Sequence, residues 1–347
     1  MSTSDTDNQT RPSSRLSGLQ RLSPAERRDR VGERLGLSAA ELSPLTSQGT
    51  LDEQVADGMI ENALGTFSLP FGVGLNFTVN GADYIVPMVV EEPSVVAAVS
   101  FAARLVRSSG GFTAEADAPL MIAQVQVVDY GEPERAVQSL HAAKAELLAA
   151  ANALHPRLVE RGGGARDLVV RVLPAPEGPH GEPILVLHLL VDTREAMGAN
   201  LLNTMAEGIA PHVAAATGGR VHLRILSNLA DRRLARTRCR IPFEALEDFG
   251  LTGEQIALGI VEASRFAEAD PYRAATHNKG IMNGVDAVAI ATGQDWRAIE
   301  AGAHAFACRD GRYRPLSRWR VEAGALHGEL ELPLALGTVG GPLKVHP

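Results

Sequence analysis

Three segments of this 347-residue chain concentrate side chains that can do chemistry. The first is Asp270-Pro271-Tyr272-Arg273-Ala274-Ala275-Thr276-His277-Asn278-Lys279-Gly280-Ile281-Met282-Asn283-Gly284. It gathers cationic, hydroxyl, imidazole and amide groups into one stretch that reads as a polar loop, and loops collect such groups for solvation as well as for function. The second is Val89-Val90-Glu91-Glu92-Pro93-Ser94. Two acids lie where a strand gives way to a helix, a place the helix dipole alone favours for carboxylates. The third is Glu195-Ala196-Met197-Gly198-Ala199-Asn200, at the start of a helix. Small residues there leave backbone N–H groups open to a phosphate, although an ordinary helix start has the same look.

Generic motifs add nothing to these three. Phe71-Gly72-Val73-Gly74 lacks the third glycine of the dinucleotide fingerprint, and Gly337 to Lys344 lacks P-loop spacing. The histidines are scattered, with no HExxH pair, so no metal site is expected.

The elements that must position the three segments are legible from caps and periodicity. Ser23-Pro24-Ala25-Glu26 is a capping box with proline at the first helical position, and Ser38-Ala39-Ala40-Glu41 repeats the signal. Leu75–Val79 and Tyr84–Val90 are β-rich runs joined through Asn80-Gly81, a strong hairpin signal. Pro93 opens an apolar helix to about Arg107, which Ser108-Ser109-Gly110-Gly111 ends.

The middle third reads strand Leu120–Val128, helix Glu134–Leu154, strands Asp167–Leu173 and Ile184–Val191 around a Pro- and Gly-rich turn, helix Gly198–Ala216, and strand Val221–Leu226. That β-α-β-β-α-β order is the split βαβ of a ferredoxin-like sandwich. At about 110 residues it reads as an inserted domain. From Ile241 the pattern is helical to Ala269, then polar, then helix-like over Val285–Thr292, with a strand over Leu326–Leu336.

Composition sets the class. Apolar residues make up 45% and charged residues 21%, ordinary for a globular α/β protein. A net charge of −8 argues against a general nucleic-acid binder. Two cysteines, Cys239 and Cys308, form no paired motif, no apolar run is long enough to span a bilayer, and no signal peptide is seen. The expected setting is cytoplasmic, with a disordered polar tail over residues 1–20.

Taken together, the segments resemble the class II hydroxymethylglutaryl-CoA reductases, in colinear order from about Leu22 to the last residue. Glu61-Asn62-Ala63-Leu64-Gly65 resembles the family's substrate-side segment, and Glu91-Glu92-Pro93-Ser94 the stretch with its catalytic glutamate. Met197-Gly198-Ala199-Asn200 resembles the dinucleotide-side motif, and Gly293-Gln294-Asp295-Trp296-Arg297 the segment with its catalytic aspartate.

The resemblance implies an enzyme that interconverts hydroxymethylglutaryl-CoA with mevalonate and coenzyme A, using two NAD(P)H. Lys279 is then expected to stabilise charge on the carbonyl oxygen. Glu92 is expected to move protons, which needs a carboxyl pKa raised toward neutrality. Asp295 is expected to hydrogen-bond both. Arg273, Ser94 and Asn283, with Thr276 and Glu61, are the expected substrate binders. Met197, Gly198, Ala199 and Asn200 are expected at the cofactor phosphates.

The implied architecture is a discontinuous large domain, residues 21–117 and 228–347, holding a dinucleotide-binding insert over 118–227. The implied assembly is a homodimer or higher oligomer with interfacial sites. Two departures stand out. Where NADH-preferring relatives carry an aspartate facing the ribose, this chain has His155, with Arg157 nearby, so NAD(H) and NADP(H) both stay open. The family continues into a C-terminal flap with a histidine that protonates the leaving thiolate. This sequence ends at Val345-His346-Pro347, ahead of that region, so a truncated chain that binds acyl-CoA or dinucleotide, or partners intact subunits, is the alternative.

Overall fold

The computed structural model describes residues 13–46, 51–174, 183–248, 250–340 and 343. Most of the expected tail, the Pro- and Gly-rich turn of the insert, and His346 lie outside the described residues.

Two helices open the chain, α1 (Pro24–Leu35) and α2 (Ala39–Leu42), each with the full capping box read from sequence. A third, α3 (Glu53–Met59), is capped by Asp52. Strands β1 (Phe71–Val79) and β2 (Ala82–Val89) form the expected hairpin. Asn80 and Gly81 both take positive φ, 50° and 80°, as a two-residue turn between right-twisted strands requires. Helix α4 (Val95–Arg107) and the short strand β3 (Thr113–Ala116) follow.

The expected disordered tail is corrected here for residues 13–20. Ser14 is fully buried: its N–H donates to Asp83, its hydroxyl donates to the Phe77 carbonyl, and Arg107 donates to its Oγ. Leu16 and Leu19 are buried as well, so apolar and hydrogen-bond anchors hold this stretch on the hairpin.

Next come β4 (Leu120–Val128), α5 (Pro133–Ala142), α6 (Lys144–Ala153), α7 (Pro156–Glu160), β5 (Gly164–Leu173), β6 (Ile184–Asp192), α8 (Ala199–Thr217) and β7 (Arg220–Ser227). The sheet order is β5-β6-β4-β7, antiparallel throughout, as the β-α-β-β-α-β reading requires. One face carries the core: Met121, Ala123, Val125 and Val127 of β4, and Leu185, Leu187, Leu189 and Val191 of β6, are all buried. They pack against Leu140, Leu147, Leu202, Met205 and Ile209 of the helices.

The chain then returns through β8 (Leu234–Pro242), α9 (Phe243–Leu246), α10 (Gly253–Ala269), α11 (Pro271–Ala291), α12 (Trp296–Ala307), β9 (Ser317–Glu322) and β10 (Ala325–Pro333). Strands from both sides of the middle third share one sheet, β3-β8-β10-β9. The reading of Ile241–Ala269 as continuous helix is corrected: its start belongs to β8 and a separate capping box, Thr252 with Gln255, begins α10. The polar loop is corrected too. Residues 271–291 are one helix, because Asp270 accepts from the Tyr272 and Arg273 N–H groups and Pro271 sits in the first turn. Among the described residues no helix is long and apolar enough to cross a membrane.

Candidate active site

Lys279 Nζ lies 2.5 Å from Glu92 Oε2, an ion pair between groups 187 positions apart in sequence. Its geometry is set from beneath. Met88 of β2, Val95 at the start of α4 and Ala287 of α11 are buried together, with Val86, Val90, Val96, Val99 and Val288 packed around them. This apolar contact seats α11 on the hairpin, and the pair forms above it with both side chains exposed to solvent.

Helix α11 also brings together the other side chains expected at the substrate. At about 100° per residue, Arg273, Thr276, Lys279 and Asn283 fall within an arc of roughly 120°. All four are exposed or half-buried, while Ala274, Asn278 and Met282 on other faces are buried. Asn278 fixes the helix from its buried side, donating to the Arg314 carbonyl and accepting from the Leu316 N–H.

Ser94, at the N-terminus of α4, has φ of 72°, and its side chain makes no cap hydrogen bond. A left-handed serine carries strain, and such strain gathers where a site over-determines the backbone. Ser94 and Glu92 both line one large cleft, which runs between the hairpin, α4 and α1 and includes no residue of α11.

Two further residues expected at the site make no hydrogen bond to this pair. Glu61 follows α3 on a solvent-exposed stretch where Ile60, Leu64 and Phe67 are 62%, 99% and 90% exposed. Asp295 caps α12, accepting from the Ala298 N–H at 3.1 Å, with Arg297 at 3.9 Å. The expectation that it hydrogen-bonds Glu92 and Lys279 is not met within one chain. Lys279 and the end of α11 at Ala291 are twelve positions apart, about 18 Å of helix rise, and Asp295 lies beyond that end.

The segment Met197-Gly198-Ala199-Asn200 does open a helix. Gly198 is the left-handed N-cap of α8, with φ of 103° and no side-chain cap. A Cβ there would come within 2.6 Å of the Thr193 side chain, so the left-handed turn into α8 calls for glycine. An uncapped helix N-terminus fits the anionic phosphates of a dinucleotide. His155 caps α7 and makes only local backbone bonds, with its Nε2 buried and unpartnered. None of its hydrogen bonds reaches Gly198 or Asn200.

Two features were missed from sequence. On α11 itself, Asp286 has its carboxyl pKa pushed up to about 7, first by burial and then by its hydrogen bond to the Glu300 carboxylate and that group's charge. The cluster continues from Glu300 to His304 at 2.7 Å, and from His304 to the Tyr313 hydroxyl at 2.7 Å. Nothing in the sequence pairs residues on two helices in this way. The second is Gln294, whose amide donates to the Gly337 carbonyl at 2.8 Å and accepts from its N–H at 2.9 Å. It adjoins Asp295, yet only the aspartate carried a signal.

The sequence model of a family described as hydroxymethylglutaryl-coenzyme A reductase matches residues 23–347. The chain is similar to the 3-hydroxy-3-methylglutaryl-coenzyme A reductase of Archaeoglobus fulgidus, 48% identical over 96% of this chain and 74% of that protein. Its fold is similar to that of the Streptococcus pneumoniae reductase, with a TM-score of 0.90 and 45% identity over 95% of this chain and 89% of the other. A structure of the class II reductase from the same organism, described as bound to NADPH in open conformations, matches with a TM-score of 0.90 and 46% identity over the same shares.

Proposed function

The chain belongs to the hydroxymethylglutaryl-coenzyme A reductase family, and we propose that its reaction is carried out between two copies, each lending half of every site. The reaction converts hydroxymethylglutaryl-CoA to mevalonate and coenzyme A at the expense of two NAD(P)H. The observation that carries the site assignment is the Glu92–Lys279 contact, above which Arg273, Thr276 and Asn283 share a helix face.

In this reading the Lys279 ammonium meets the negative charge that develops on the substrate carbonyl oxygen. Glu92, already on that ammonium, moves a proton to or from the same oxygen. Arg273 holds the substrate carboxylate with both arms of its guanidinium. Ser94, Asn283 and Thr276 supply hydrogen bonds to the hydroxyl and acyl groups. The bare N–H groups at Gly198, Ala199 and Asn200 hold the dinucleotide phosphates, beside Met197. The reduced nicotinamide bound there supplies the hydrides. NAD(H) and NADP(H) both stay within the proposal, since His155 leaves no acid to repel a 2′-phosphate.

The dimer is proposed on distance and exposure. Asp295 of one chain lies past the far end of α11 from Lys279 of that chain, so it serves the site of a second copy. The apolar Ile60, Leu64 and Phe67 stand in solvent in a single chain and are covered when a second copy carries Glu61 into the site. The insert over 118–227 acts as the dinucleotide unit, and residues 21–117 with 228–347 as the substrate unit. A cytoplasmic setting goes with this reading, in which both cysteines are free.

Oxidation of NADH and NADPH by the purified chain, followed with hydroxymethylglutaryl-CoA and then with mevaldehyde, tests the proposal. Turnover of either substrate that is lost in Lys279→Met supports it. Binding of ligands without turnover of either one contradicts it and leaves a binding protein or subunit partner.

A further inference from the structure

Three segments that share no sequence neighbourhood meet at Gly337. The Gln294 side chain presents one donor and one acceptor to it, pairing with its C=O and N–H as a neighbouring strand would. On the other side the backbone of 195–197 closes in. Thr338 N–H donates to the Glu195 carbonyl at 2.8 Å, Ala196 forms a parallel bridge with Val339, and a Cβ on Gly337 would lie 2.6 Å from the Met197 nitrogen. Arg233 ties the same pieces from beneath, donating to Thr193 Oγ1 at 3.3 Å, to the Ala196 carbonyl at 3.2 Å and to the Leu336 carbonyl at 2.6 Å. The strap 336–339 is thus held between the segment that leads into α8 and the turn that leads into α12. Gln294 is bonded directly into the second, since Trp296 N–H donates to its carbonyl at 3.0 Å.

We propose that Gln294 is a positioning residue that fixes Asp295 relative to the Met197–Asn200 dinucleotide segment, so that each copy presents the two as one unit to the Glu92–Lys279 half of its partner. The inference rests on the cofactor reading of Met197–Asn200 given above. A glutamine suits the task because its amide can satisfy a peptide group on both sides. A glutamate of the same length cannot donate to the Gly337 carbonyl and sets a carboxylate against it. The arrangement moves no proton and touches no substrate. It sets where Asp295 stands when the dinucleotide segment is occupied.

Trp296 reports on this directly, being next to Asp295 and 39% exposed. In a Trp319→Phe background, added NADP+ or NAD+ shifts Trp296 emission in the otherwise unaltered chain. Gln294→Ala and Gln294→Glu are expected to bind the same dinucleotide, by calorimetry, within about threefold of that chain, yet to lose the emission shift. Their kcat falls at least about tenfold while the KM for hydroxymethylglutaryl-CoA holds, as expected for a displaced group rather than a lost contact. Gly337→Ala, which pushes on Met197 from the strap, is expected to weaken dinucleotide binding itself. A retained shift and kcat in both Gln294 variants overturns the inference. So does a fall of binding, shift, kcat and melting temperature all together, the mark of a merely structural role. Failure of the unaltered chain to bind either dinucleotide sinks the cofactor reading first, and the coupling with it.

Discussion

Replacing Lys279 with methionine keeps the length of the side chain and removes its charge. The expected result is a kcat about 10²–10³-fold lower with a much smaller change in substrate KM, because the ammonium acts on charge that develops only in the transition state. Glu92→Gln is expected to fall in the same direction. Both residues were singled out through the resemblance of their segments to the family, since each run alone also reads as an ordinary helix start or polar loop. Asp286 was not: it lies in an ordinary apolar helical pattern, and its partner Glu300 is on another helix. The pair carries its own prediction. Burial and Glu300 favour the protonated Asp286 carboxyl in the folded chain, so its folded pKa, about 7, exceeds its unfolded one. Such a group favours folding at low pH, and that contribution is lost as pH rises toward 7. Asp286→Asn is therefore expected to raise the melting temperature more at pH 8 than at pH 5. An equal effect at both values would remove the shared proton from the account.

At the scale of elements, helix α11 shows what sequence reading can and cannot supply. Asp270-Pro271 is a complete start signal, an N-cap followed by a first-turn proline, yet the density of polar residues and glycines beyond it reads as loop. Polar groups are tolerated there because one face of the helix opens on a site, while Ala274, Asn278, Met282 and Ala287 meet the core. The middle-third sheet was readable because its two central strands carry an apolar residue at every second position and its second long helix, α8, ends in Gly218. Strand β8 was not, because the arginines that alternate along it, Arg236 and Arg238, are held by ion pairs to Asp117, Glu331, Glu115 and Glu329 on a strand inside its sheet, and no apolar alternation marks it. The element contact that matters most is the one beneath the ion pair. Met88→Ala opens a cavity between β2 and α11 at a fully buried position and is expected to cost about 2–5 kcal/mol of stability. It should also lower kcat beyond any effect on cofactor affinity, since α11 carries Lys279 and β2 leads to Glu92. Urea melts set beside kinetics check both, and a destabilised variant with unchanged kcat would uncouple that core from the pair.

For the whole molecule, order along the chain says which residues can serve one site but not which chain each comes from. In the proposed reading a single chain holds two half-sites. Glu92, Ser94, Arg273, Thr276, Lys279 and Asn283 form one, and the Met197–Asn200 segment, bonded through Gly337 and Gln294 to the Asp295 turn, forms the other. The helix rise between Lys279 and Asp295 separates them, and the exposed apolar stretch around Glu61 gives a second copy something to cover. Sequence patterns encode faces and caps of local elements. They carry no measure of the distance across an assembly, so which chain lends Asp295 to the pair was not legible in them.

The most direct test of that central claim mixes two variants that are each inactive, Lys279→Ala and Asp295→Asn, the latter keeping a good cap on α12. In a mixed dimer with shared sites, one site takes both defects and the other takes none. Statistical mixing should then restore about a quarter of the unaltered activity. Activity of the mixture no higher than that of either variant alone would place Lys279 and Asp295 of one chain in the same site and contradict the account.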